Sequence, residues 1–131
     1  MVPGAGGVLG SVRLRHAYLA WGPAIAVFAA MLRFGRPERY STCVAALMGS
    51  EPFHVGAHAF LYGVLAWLVA RRFGDRIAVT VGAVILFGFV QELAQVVGAR
   101  TFGGPELFDL AVDATAALAV VVARRRQLVA V

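Results

Sequence analysis

Three groups of polar residues sit where a strongly apolar chain has least reason to carry them. His54, His58 and Tyr62 recur at i, i+4 and i+8, along one face of a helix. Glu92 and Gln95 follow at i, i+3, and Asp109 and Asp113 at i, i+4. Imidazole beside carboxylate is the pairing used in general acid–base chemistry, which needs titratable groups within reach of a substrate and one of them retuned by burial. Glu92, in an apolar helix with His58 as its partner, fits the base best, and Asp113 completes the catalytic candidates. Arg100, in the loop after Glu92, suits an anionic group and is a natural counter-ion for Asp109 or Glu92. Arg100, Asp109, Gln95 and Tyr62 are therefore the ligand-binding candidates. His58, Glu92 and Asp113 also offer metal ligands, with His54 joining through its i, i+4 spacing. No HExxH-type or cysteine-based signature accompanies them, so neither a metal nor another cofactor is expected. Nucleophiles are poorly provided: Ser41 and Cys43 have no elbow or local base, and Thr101 is merely adjacent to Arg100.

The elements that must carry these groups are four apolar runs, at residues 17–32, 55–70, 77–98 and 107–123. Each is at or slightly below the length that crosses a bilayer, and in lipid a helix is the economical way to satisfy the backbone. The wider composition agrees. Of 131 residues, 60% are apolar and 15% charged, against about 45–50% and about 25% in soluble domains. So little polar residue excludes a disordered chain and argues against a soluble enzyme with its own core. Pro23 inside the first run is tolerated in a membrane helix. The triplet Ala24-Ile25-Ala26 lies mid-run and not after it, which favours a retained anchor over a cleaved signal. Tyr40–Gly49 is too short to span and is expected at the interface or tucked into the bundle. Cys43 is the only cysteine, so no intrachain disulfide forms.

All twelve basic residues are arginine, and the net charge is +5. They punctuate the apolar runs instead of forming one basic face, which speaks for membrane topology and against nucleic acid. With the N-terminus inside, inner segments hold eight arginines and outer loops four, placing both termini in the cytoplasm. The expected architecture is all-α: a polytopic four-helix membrane bundle with short loops. A cytoplasmic segment 1–16 precedes a single transmembrane domain 17–123, and a basic cytoplasmic tail 124–131 follows. At about 1.5 Å per residue, His58 lies roughly 4–6 Å inside its outer end, and Glu92 and Asp113 each roughly 9 Å inside theirs. Three separate stretches thus place His, Glu and Asp in one outer-leaflet layer, while the inner halves hold almost nothing polar. Groups at such depth face the protein interior or a water-filled cavity and pair there. Small residues at four-residue spacing (Ala59/Gly63, Ala78/Gly82, Ala111/Thr115/Ala119) would let backbones approach closely. Oligomerisation is left open.

The order of these residues resembles the VanZ-like family of small bacterial membrane proteins, named for a member associated with low-level resistance to the glycopeptide teicoplanin. His58-Ala-Phe-Leu-Tyr62 followed by Leu65 resembles the family's His-x-x-x-Tyr-x-x-Leu. Gly88-Phe-Val-Gln-Glu92-Leu-Ala-Gln95, then Arg100, Asp109 and Asp113, is similar to its Gly-x-x-x-Glu-x-x-Gln, Arg, Asp-x-x-x-Asn. The chain departs from the pattern at His54-Val55, where Asp-Lys is usual, and at Asp113, Ala116 and Val120, which replace Asn and two glycines. The resemblance covers residues 54–123 and implies a multi-pass protein of the bacterial cell membrane. It implies a role toward a cell-envelope ligand, such as a lipid head group or a lipid-linked or glycopeptide molecule, and leaves the reaction open. The alternative is a non-catalytic scaffold or accessory subunit whose buried charges hold helices together. A third reading, a proton-coupled transporter, lacks a visible repeat. The topology has a direct test: a reporter active only in the periplasm and fused after Val131 stays silent, and activity there reverses the orientation.

Overall fold

Proline, serine and a left-handed turn set the limits of the helices. The structure is a computed structural model that describes residues 16–34, 41–96 and 103–130. Within them the chain is helical and contains no strand: α1 (Ala17–Phe34), α2 (Thr42–Met48), α3 (Glu51–Phe73), α4 (Ile77–Val96) and α5 (Gly104–Val129). Ser41 caps α2 by accepting from the Val44 N–H at 3.4 Å. Pro52 and Pro105 stand in the first turns of α3 and α5, where a missing N–H costs nothing. Glu106 reaches back to accept from the Gly103 N–H at 2.9 Å. α3 ends on Gly74 (φ +78°) and Asp75 (φ +55°), whose N–H groups both bond to the Ala70 carbonyl. Glycine takes that conformation freely and aspartate tolerates it, so α4 can begin two residues later.

The short segment expected between the first two runs is α2, and it is mostly exposed. The remaining helices match the four apolar runs; three are longer, and α4 is described to Val96. The clearest difference is at the C-terminus, where the expected break after residue 123 is absent and α5 continues through the arginines to Val129. α3 and Ile77–Ala94 of α4 are long and apolar enough to cross a membrane, and α1 holds a shorter apolar stretch, Ala17–Ala30. The 107–123 run carries Asp109 and Asp113 in its first half.

α3 is the hub. It packs most extensively on α5, which also lies against α4, while α1 rests on α3. The α3–α5 pair is parallel and in one register. His54 meets Asp109 and His58 meets Asp113, each 55 residues on. The same offset sets buried Tyr62 level with Ala117 and buried Ala66 level with Val121. Ile25, Leu65, Val69 and Val84 complete the core. α4 contributes a stripe at i, i+4, i+8 and beyond: Thr80, Val84, Gly88, Gln91 and Glu92 are all buried. α1 adds Ile25 and a Trp21 indole N–H donated to the Leu61 carbonyl at 3.0 Å.

The small-residue pairs named from sequence are mostly not the seams. Ala78, Gly82, Ala111, Thr115 and Ala119 are exposed, and only Gly63 approaches a neighbour, Val120, at 3.9 Å from its would-be Cβ. Buried small residues among those described include Gly22, Ala66, Ala70, Thr80, Gly88 and Ala117. The reason is rotational. Turning Asp109 and Asp113 toward α3 brings Ala117 and Val121 with them and carries residues two positions on to the opposite face.

At the far end of the pair, the α3–α4 turn is clasped by the end of α5. Arg124 forks through Nε and Nη2 onto the two carboxylate oxygens of Asp75. Arg125 donates from Nε and Nη2 to the Asp75 carbonyl at 3.1 and 2.9 Å. A planar guanidinium makes both bonds at once, which an ammonium cannot. Arg124→Ala is expected to lower the stability of the purified protein by about 1–3 kcal/mol, with Arg124→Lys recovering only part of the loss. Thermal unfolding measures it, and an unchanged Tm in Arg124→Ala removes the clasp from the supports of the fold.

Candidate functional site

The site grows from the first turns of α3 and α5. Histidines one turn apart on α3 face aspartates one turn apart on the parallel α5, so two like pairs form in succession. Nε2 of His54 stands 3.2 and 3.1 Å from the two Asp109 oxygens, and Nδ1 of His58 stands 3.0 Å from Asp113 Oδ1. A carboxylate only accepts, so each ring donates from that nitrogen. The two pairs differ in setting. The His54 side chain is 51% exposed, whereas the Asp113 side chain is 0% exposed.

The rings continue inward as a stack. His54 and His58 have centroids 4.7 Å apart, and His58 lies nearly parallel to Tyr62 at 5.6 Å. Tyr62 then turns its hydroxyl sideways to α4, donating a hydrogen bond to Gln91 Oε1 at 2.9 Å. This buried bond ties the layer to the third helix. Gly88 explains how α4 comes so near. A Cβ there would sit 2.9 Å from Asp113 Oδ2, 3.1 Å from Leu110 Cδ2 and 3.6 Å from Tyr62 Cε1. The backbone of α4 occupies the space a side chain would need.

Of the sequence candidates, His58, Tyr62, Glu92, Asp109 and Asp113 are all buried. His58, Asp109 and Asp113 lie close enough to Glu92 to act on it electrostatically. One pairing differs from expectation. His58 binds Asp113 and not Glu92, because α3 and α5 share a register that α4 does not. Among the described residues Asp109 is held by His54. Arg100 lies outside the described residues, as does the side chain of Gln95, whose backbone is in the last turns of α4. Among the described residues Glu92 has no hydrogen bond or ion pair, and Asp113 Oδ2 is buried with no partner. Among the described residues the layer thus gathers three carboxylates around two imidazoles.

Sequence reasoning missed Gln91 and the pairing of His54 with Asp109, and it met Gly88 only as part of the family resemblance. Gln91 stands one residue before Glu92, and Gly88 one turn before it. Their places on the face that buries Glu92 were the available signal. Beside the layer, Ala59, Phe60, Gly63, Val64, Trp67 and Val120 line an open apolar groove of about 310 Å³. Arg71 lies over the Trp67 ring at 4.8 Å.

Comparison of the chain with family models, with curated proteins and with solved structures finds no match.

The close approach at Gly88 has a clean internal control. Gly88→Ala is expected to cost about 1–3 kcal/mol by overpacking against a fully buried carboxylate. Gly82→Ala, on the same helix with nothing within 4 Å of the added carbon, should be neutral or stabilising by about 0.5–1 kcal/mol. Thermal unfolding compares the two, and equal effects would contradict the packing described for α4.

Proposed function

We propose that this chain is a multi-pass protein of a bacterial cell membrane, of the VanZ-like kind, whose polar layer receives the head group of a cell-envelope ligand. The observation that carries the reading is an inversion of the usual order of residues. His58, Thr80, Gln91, Glu92, Asp109 and Asp113 are buried, while Phe60, Leu86, Val90 and Leu107 are each more than half exposed. Water would penalise that apolar surface; hydrocarbon would accept it.

On this reading α1, α3, α4 and α5 are the four spans, and both termini are cytoplasmic. Arg71, Arg72 and Arg76 flank the clasp between Asp75 and Arg124, so the clasp marks the inner side. The imidazole–carboxylate layer then lies in the outer leaflet. Asp109, Asp113 and Glu92 suit a ligand rich in hydrogen-bond donors, and Gln95 follows Glu92 by three residues on α4. The apolar groove between α3 and α5 offers an acyl chain a place beside that head group. A lipid-linked or glycopeptide molecule combines both features, and a contribution to teicoplanin-type glycopeptide resistance follows from the resemblance. Membrane lipid is the constant partner.

A second reading has its own observation. The two His–Asp pairs join α3 to α5 directly, as they would in a scaffold or accessory subunit whose charges only hold helices together. Glu92 separates the readings, since it has no hydrogen-bond partner to lose among the described residues. With a working site, Glu92→Gln keeps folded yield in the membrane and abolishes the chain's effect on teicoplanin susceptibility. Asp109→Asn and Asp113→Asn lower both. If susceptibility merely tracks yield across all three variants, the scaffold reading replaces the first.

A further inference from the structure

We propose that the end of the α3–α5 pair binds one divalent transition-metal ion, with His54, His58 and Asp109 as its protein ligands. The proposal stands on side-chain geometry and needs neither the membrane placement nor the envelope role.

One ligand atom from each of these residues lies within 4.8 Å of the other two. Two atoms bound to one ion at about 2.1 Å sit about 3.0–3.4 Å apart, for angles between square and tetrahedral. His54 Nε2 and the Asp109 oxygens, at 3.1 and 3.2 Å, already have that spacing. A separation of 4.8 Å has to close by about 1.4–1.8 Å on that same scale. His54 is free to supply the movement, being half exposed.

Asp113 is the reason to see a metal site and not two ion pairs. It holds His58 at Nδ1, and a ring that donates there has its lone pair on Nε2, the nitrogen left for an ion. A ligating histidine whose second nitrogen donates to a carboxylate is the usual outer support of a metal centre, fixing both tautomer and ring orientation. Asp113 is therefore a positioning residue. Glu92 is the second, independent pointer. It is 95% withdrawn from solvent with no hydrogen bond among the described residues, and it lies in the field of Asp109, His58 and Asp113. Among the described residues, three carboxylates against two imidazoles leave a net negative charge even with both rings protonated. A dication offsets that charge, with His54 ligating through Nε2 as the neutral ring that carries its proton on Nδ1.

Two imidazoles and a carboxylate suit Zn²⁺, Co²⁺, Fe²⁺ or Mn²⁺ better than Mg²⁺ or Ca²⁺, which prefer all-oxygen shells. Three protein ligands leave at least one position open, and Glu92 stands close enough to act electrostatically on whatever fills it.

Cobalt is the probe, because its visible absorption reports both stoichiometry and coordination. Full-length protein, purified without a histidine tag and stripped with chelator, is titrated with Co²⁺. The expected result is one Co²⁺ per chain. His54→Ala and Asp109→Asn are each expected to weaken binding at least 100-fold, and Asp113→Asn by about 10–100-fold with its coordination spectrum altered. Helicity by circular dichroism accompanies each titration, and half-exposed His54 provides the variant least prone to unfold. Absence of stoichiometric binding by the wild-type protein overturns the proposal. So does a folded His54→Ala protein that binds Co²⁺ as tightly as wild type. Neither result depends on drug susceptibility, so the metal site and the envelope role fail separately.

Discussion

The parallel register of α3 and α5 is the constraint on which the rest of the molecule depends. It is fixed at one end by His54–Asp109 and His58–Asp113 and at the other by Asp75 with Arg124. A slip of one turn would set His58 opposite Asp109 and leave Asp113 facing Tyr62. Stranding a buried carboxylate in that way costs several kcal/mol, more than a few repacked methyl groups could return. The apolar seam between the two ends, Ala66, Ala117 and Val121, is shallow and would tolerate sliding. Charged contacts therefore choose the alignment, and small side chains permit it.

The other helices answer to that pair. α4 can join only where its backbone is bare, at Gly88, and it is bound there by the Tyr62 hydroxyl and Gln91. Among the described residues α1 is held by a buried isoleucine, one indole hydrogen bond, Tyr18 against the Phe73 ring, and Gly22 close beside the Phe87 ring. Three helices thus form the functional body, with α1 resting against it. The polar layer is placed at the end where all three converge, so anything that docks there touches α3, α4 and α5 together.

Much of the site was legible in spacing, because i, i+4 pairs of histidine and of aspartate announce a face whatever it turns toward. His58, Glu92 and Asp113 could be assigned to one layer by counting residues from the ends of their runs. Partnership was not legible. That His58 would choose Asp113 and not Glu92 depends on which helices share a register, and register is a property of packing. The small-residue motifs misled for the same reason. Ala111, Thr115 and Ala119 have suitable spacing, but the aspartates two positions away had a stronger claim on the inward face. The clasp at Asp75 went unseen because arginines bounding apolar runs already had an explanation, as topology signals. Arg124 and Arg125 lie on a continuing helix and bind a neighbouring turn.

The 55-residue offset between the bases and the acids also orders the assembly of the chain in time. A ribosome releases His54 and His58 well before Asp109 and Asp113, with α4 made in between. An imidazole can wait uncharged near neutral pH, so α3 can enter a bilayer early at small expense. A carboxylate arriving first would have no such refuge. On the membrane reading, α5 arrives last and meets histidines already in place, so its acids are received by a finished surface. Reversing the two halves of the motif would preserve the final contacts and lose that sequence of events.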